Sequence, residues 1–300
     1  MISRRALLQS AFATAQPPVI DTHVHLFSGD PARFPFHPNG PYKPAPAPLE
    51  PYLEFARQAG ISHTIIVHPE PYQDDHSYLE YCFERESHKG FFKGTCLFDP
   101  IDPKTPGRMK DLASRHPGRI VALRVHEMNP PGKPFERGPA IKNRDLNDPA
   151  MKAAWRAAAG LGMAIQMHFL PNHAPGISKL AGEFRDVPVI LDHMGRAGQG
   201  SPEAAEEVLK LARHPRVYFK FSGAGYSSKQ KPPHTDAKPL VRRAYDAFGA
   251  GRILWGGLGH SMKEFEAANG LFDFMFDFAS ADARAQIRGL NAIKLFRFPS

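Results

Sequence analysis

Cysteine and tryptophan are scarce in this chain, with only two of each in 300 residues. Cys82 and Cys96 cannot make the disulfide framework of a small secreted scaffold. Cys96 lies in an apolar, strand-like run and reads as a small buried hydrophobe. No stretch approaches the roughly 20 apolar residues of a membrane span. No lysine or arginine run and no RNA-binding signature points to nucleic acid as a partner. No internal repeat or linker divides the chain, and nothing in the pattern fixes an oligomeric state. Negative charge is the minority sign, with 30 Asp and Glu against 38 Lys and Arg and a net charge of +8. That balance favours anionic partners, and a small carboxylate-bearing substrate is the simplest of them. The remaining composition, 42% hydrophobic and 23% charged, is that of a globular domain.

The first residues include Ser3-Arg4-Arg5-Ala6-Leu7-Leu8 and then Ala13-Thr14-Ala15. Paired arginines, a short apolar run and an Ala-x-Ala site have the form of a twin-arginine export signal. Residues 1–16 are therefore expected to be a signal segment, and the protein to be periplasmic or exported. Residues 17–300 are left to form one domain.

The chain is organised around Val19-Ile20-Asp21-Thr22-His23-Val24-His25. In a strand, alternate side chains point the same way, so Asp21, His23 and His25 are expected on one face. Two imidazoles one residue apart can be presented to one metal ion. The pair alone does not define a site, but two more strand-like runs end in histidine, at His168 and His193. Alternation along the latter run sets Asp192 on the face opposite His193.

Eight apolar, β-branched runs alternate with helical patterns. They are Val19–His25, Ser62–His68, Phe91–Phe98, Ile120–His126, Ala164–His168, Val189–His193, Val217–Ser222 and Ile253–Trp255. Continuous apolar strands suit a parallel sheet buried on both faces. Eight of them in this length predict an α/β fold, a single-domain (β/α)8 TIM barrel. Chemistry in such barrels lies at the C-terminal strand ends, where His23, His25, Arg124, His168 and His193 all fall. The proline- and aromatic-rich stretch from Ser28 to Pro51 leaves the same end and is expected to cover the site. Phe34, Phe36, Tyr42 and Tyr226 are candidates to line a pocket for a ring-shaped ligand. Lys220 and Ser222 alternate on the seventh strand, which makes Lys220 a candidate charge for an anionic substrate.

Several runs resemble the amidohydrolase superfamily, in the amidohydrolase family 2 branch. They are Ile20-Asp21-Thr22-His23-Val24-His25, Arg33-Phe34-Pro35-Phe36, Leu191-Asp192-His193-Met194-Gly195-Arg196, Phe219-Lys220-Phe221-Ser222-Gly223, Arg252-Ile253-Leu254-Trp255-Gly256 and Gly289-Leu290-Asn291. Within that branch they are most similar to 2-pyrone-4,6-dicarboxylate lactonases and related lactone hydrolases. The resemblance implies one divalent ion, zinc or manganese, held by His23, His25 and His168, although some relatives work without a metal. It implies that Arg124 and Arg196 bind substrate carboxylates, for which a bidentate guanidinium is suited. It also implies a catalytic part for His193.

One departure stands out. The family's eighth strand usually reads Trp-Gly-Ser/Thr-Asp, and here Leu258 replaces the aspartate that takes the proton from the attacking water. Leucine accepts no proton. His260, two residues on, is the expected substitute base, with Glu127 and Asp192 behind it. The leading expectation is a metal-dependent hydrolase of a lactone or similar cyclic ester. Its alternatives are a metal-dependent decarboxylase of aromatic or unsaturated acids, and a ligand-binding homologue that has lost catalysis.

Overall fold

The computed structural model describes residues 17–135 and 138–299, so the expected signal segment lies outside the described residues. Eight parallel strands follow one another around the sheet in chain order. They are β1 Val19–Val24, β2 Ile61–Ile66, β3 Phe92–Cys96, β4 Ile120–Glu127, β5 Ala164–Phe169, β6 Val189–Leu191, β7 Val217–Phe221 and β8 Ile253–Trp255. Helices α1 Leu49–Gln58, α2 Ser77–Glu84, α3 Thr105–Arg115, α4 Pro149–Leu161, α5 Ala174–Glu183, α6 Pro202–Lys210, α7 Lys238–Phe248 and α8 Met262–Met275 alternate with them. After α8 the chain closes with α9 Ala281–Ala285, a π turn at Gln286–Leu290 and α10 Asn291–Phe296.

Helix ends follow local chemistry. Asp148 caps α4 by accepting from Ala150 N, and Gly162 ends that helix at φ +66°, a backbone state that glycine enters without a Cβ clash. Ser201, Ser261 and Ser280 cap α6, α8 and α9 in the same way as Asp148.

The barrel interior has two layers. The lower one is apolar, with Ile20, Ile65, Val67, Ala122, Ala164, Ile190 and Leu254 packed on Ala292, Phe296 and Phe298. The C-terminal helix α10 thus plugs the bottom. The upper layer is polar and buried, and it holds His23, Arg124, His126, Gln166, His168, Asp192, Lys220 and Ser222. Removing that much polar surface from water is tolerated only where the groups satisfy one another, so this layer is where function is to be sought.

The seam between β8 and β1 is closed by hydrogen bonds outside the ladder. Thr22 Oγ1 donates to the Trp255 carbonyl at 2.6 Å, Gly257 N donates to Asp21 Oδ1 at 2.9 Å, and Leu258 N donates to the His23 carbonyl at 3.2 Å.

Candidate active site

The register of β1 shifts between Asp21 and Val24. Ile20 packs in the lower layer, and the irregularity brings His23 into the polar layer above it. Asp21 does not join the histidines. Its Oδ1 accepts from the backbone N of His23 and of Gly257, so it fastens the seam. Burial pushes its carboxyl up to about 6 against these bonds. Gly256 makes room for His23, since a Cβ there would lie 2.7 Å from the His23 Cβ.

His23 and His25 converge, with their Nε2 atoms 3.3 Å apart. His25 Nδ1 donates to the Val67 carbonyl at 2.7 Å, which leaves its Nε2 a lone pair. His23 Nδ1 faces Asp192 Oδ1 at 3.5 Å, and neither atom has a hydrogen-bond partner among the described residues. A hydrogen on that Nδ1 gives His23 a lone pair at Nε2 as well. Two lone pairs then confront each other in a buried place, an arrangement that a shared cation stabilises. Burial, followed by the charge of Arg124, pulls the His25 ring down to about 3. Burial likewise holds the His23 ring well below its ordinary value, so both rings are neutral, as metal ligands must be.

Sequence alternation placed Asp192 away from His193, and the structure corrects this. Strand β6 ends at Leu191 rather than running to His193. His193, Met194, Gly195 and Arg196 then all take positive φ, between +47° and +59°. This left-handed run is uncommon for residues other than glycine. It turns His193 back so that it joins Asp192 beside His23, with possible ligand atoms of all three within 4.8 Å of one another. Asp192 is the hub of the layer. Its Oδ1 lies 3.2 Å from Lys220 Nζ, and its Oδ2 accepts from Gln166 at 3.0 Å and lies 3.4 Å from Arg124 Nε. Burial alone would raise its carboxyl, but Lys220, His23 and Arg124 outweigh it and hold the group well below the usual range.

The other candidates are distributed unevenly. His193 Nδ1 meets Ser222 Oγ at 3.0 Å, and its ring lies 4.6 Å from that of His23 and 5.3 Å from that of His168. Burial lowers His193 to about 3, so it is a neutral acceptor at working pH. His168 is held from both sides. Its Nε2 accepts from Arg196 Nε at 3.0 Å, and its Nδ1 meets His126 Nδ1 at 3.2 Å. Lys220 is fully enclosed and also donates to the Thr22 carbonyl at 3.0 Å. His260 stands apart from the histidine cluster. Its Nε2 donates to the His25 carbonyl at 2.7 Å, and its ring packs edge-on to Tyr52. Leu258, at φ +62°, is half-buried at the seam.

The covering segment after β1 splits its aromatics. Phe34 and Phe36 pack on Tyr72, Tyr78 and Tyr81. Tyr226 is partly exposed and stacks under the Arg196 guanidinium at 4.1 Å. Tyr42, also partly exposed, is close enough to feel the charges of Glu70 and Arg124.

Two members of the site escaped the sequence reading. His126 lies two residues beyond Arg124 on β4, so strand alternation alone could have placed it. Glu70 follows the β2 strand end in a short turn, and its position beside His126 has no periodic signal.

Glu127 faces the loop after β4, where its Oε1 accepts from Arg144 N at 3.0 Å. Burial pushes its carboxyl up to about 8, against roughly 4.3 in an unfolded chain. Between those values the folded protein holds a proton that the unfolded chain has lost, so this group makes stability fall as pH rises from about 4.5 toward 8. Glu127→Gln keeps the acceptor and cannot ionise. It is expected to add about 2–4 kcal/mol of stability at pH 8 and almost none at pH 4.5. Urea unfolding at the two pH values checks this, and equal gains at both would rule out ionisation as the cause.

A parallel barrel with buried histidines, two arginines and a hub carboxylate at its C-terminal rim has the arrangement of a barrel enzyme with a polar, metal-competent site. The chain belongs to the amidohydrolase family, whose model matches residues 20–298. It is 25% identical to a 4-sulfomuconolactone hydrolase of Hydrogenophaga intermedia, over 92% of this chain and 88% of the relative. It is 26% identical to an L-fucono-1,5-lactonase of Burkholderia ambifaria, over 84% of each. A solved structure from Pseudomonas putida, assigned as a 2-pyrone-4,6-dicarboxylic acid hydrolase, superposes with a TM-score of 0.73 at 23% identity, covering 95% of this chain and 99% of that one.

Proposed function

We propose that this chain is a metal-assisted hydrolase that opens a lactone, or a similar cyclic ester, of a carboxylated small molecule. The observation that carries the reading is the convergence of the His23 and His25 Nε2 atoms, 3.3 Å apart, with His25 held through Nδ1 by the Val67 carbonyl and His23 Nδ1 facing Asp192 Oδ1 at 3.5 Å. His23 and His25 would hold the ion, while His168, the third ligand of the expected set, groups with Glu70 and His126, their possible ligand atoms within 4.8 Å of one another. A divalent ion there, zinc or manganese, would supply a Lewis acid for the ester carbonyl and a water of lowered pKa.

The chain's own residues do the rest. His193 accepts the proton of the attacking water, with Ser222 fixing the ring through Nδ1. Arg124 and Arg196 seat the substrate carboxylate. Asp192 orients His23, and Lys220 ties Asp192 to β1. His260 positions His25 through its carbonyl. The two relatives named as lactone hydrolases support the substrate class. Arg4 and Arg5 support export, and no helix among the described residues is long and apolar enough to cross a membrane.

The test is a turnover panel on the purified chain, stripped by chelator and then resupplied with zinc or manganese. Five- and six-membered lactones with and without a carboxylate are followed by acid release, and aromatic carboxylic acids by carbon dioxide release. Metal-restored opening of carboxylated lactones is expected. Carbon dioxide release alone would establish the decarboxylase instead, and binding without turnover of any kind would leave a ligand-binding protein.

A further inference from the structure

Arg196 is gripped without being neutralised. Its Nε donates to His168 Nε2 at 3.0 Å, and its Nη1 donates to Gln199 Oε1 at 3.2 Å. The guanidinium lies 4.1 Å from the centre of the Tyr226 ring. The side chain is half-buried, and among the described residues no carboxylate forms an ion pair with it.

These contacts fix two tautomers. A guanidinium only donates, so His168 Nε2 is a bare acceptor. The ring therefore carries its one hydrogen on Nδ1, which donates to His126 Nδ1 at 3.2 Å. His126 must then hold its own hydrogen on Nε2, because a hydrogen on Nδ1 would set two N–H groups head to head. Glu70 Oε1, 3.5 Å from that Nδ1, is the more distant neighbour. The His126 Nε2 is buried and has no partner among the described residues. An unpaired buried donor costs stability, so folding alone does not account for the pair.

We propose that His126 and His168 are positioning residues for Arg196: His126 locks the tautomer of His168, and His168 holds the guanidinium by Nε so that its terminal nitrogens meet the substrate carboxylate. This rests on the anionic-substrate reading above, and it gives His168 a part other than the metal ligand that the resemblance implies. An uncharged imidazole sets the direction of the guanidinium and leaves its positive charge to the ligand. A carboxylate in the same place would compete with the ligand for that charge. The lone pair of His168 is committed to Arg196, so none is left for an ion.

Calorimetry on the full chain, with benzoate as the probe, measures the carboxylate seat without turnover. Arg196→Met and His168→Met should each weaken benzoate about tenfold, while His168→Gln, whose amide oxygen replaces the Nε2 acceptor, should stay within about threefold of wild type. His126→Phe should follow His168→Met, and His126→Asn, which restores an acceptor near Nδ1, should follow His168→Gln. Metal content should match wild type in both His168 variants. A long-range nitrogen–proton NMR spectrum of histidine-labelled wild type should show His168 with a bare Nε2 and a protonated Nδ1, assigned by the signals missing from His168→Gln. That spectrum decides the tautomer even where a variant fails to fold. The opposite tautomer, equal losses in His168→Met and His168→Gln, or loss of the metal from His168→Met would each overturn the proposal. Loss of benzoate binding in Arg196→Met alone would overturn it and leave the anionic-substrate reading intact. Absence of benzoate binding by wild type would overturn both together.

Discussion

His23→Ala is expected to strip the divalent ion and to lower lactone hydrolysis on the order of 10³-fold. The physical reason is that His23 is held on both sides. Its Nε2 faces His25 at 3.3 Å, and its Nδ1 faces Asp192 at 3.5 Å. Alanine removes one of the converging lone pairs and leaves Asp192 without that neighbour. An ion acting as a Lewis acid is worth several kcal/mol of transition-state stabilisation, and each 1.4 kcal/mol is tenfold in rate. Elemental analysis should fall from about one ion per chain to near zero, with the far-ultraviolet circular dichroism unchanged. His25→Ala should match it, because the ion requires both rings. Retention of a full equivalent of metal by His23→Ala would show that the histidine pair is not its seat.

The second large effect concerns the proton acceptor. Loss of a general base typically costs about 10²–10⁴ in rate, and His193→Ala is expected to fall in that range in kcat, with KM little changed. His193 sits at φ +51°, a backbone state that alanine adopts poorly and asparagine better. His193→Asn is therefore the companion variant, and equal losses in both would assign the effect to the lost base rather than to the turn. Leu258→Asp is expected to change turnover less than about threefold, because the acceptor is already supplied. Its fold should hold, since aspartate tolerates φ +62° better than leucine does. A hundredfold gain on installing this aspartate, with His193→Ala still active, would mean that the wild type lacks a base and that His193 is not one.

Leu258 also shows how far a motif reading extends. The loss of the aspartate was visible in the sequence, and so was His260 as its nearest titratable neighbour. That neighbour is engaged by the His25 carbonyl and Tyr52, which leaves it the positioning part proposed here. Proximity in sequence carried no information about which way the ring turns, because Leu258 itself is left-handed, at φ +62°.

The sequence by itself determined the eight strands, their parallel order and the rim on which His23, His25, Arg124, His168 and His193 fall, because strand and helix periodicity are local properties of side-chain burial. It also determined the family, through short runs spread over most of the domain. Only the tertiary structure decided which of these groups meet. The irregularity in β1 removed Asp21 from the histidine face, and four consecutive positive φ values after Asp192 brought His193 to the side of the chain on which Asp192 lies, against strand alternation. The turn after β2 set Glu70 against His126, Oε1 to Nδ1 at 3.5 Å. None of these follows from a period of 2 or 3.6. Each depends on backbone dihedrals that only the packed barrel around them holds in place.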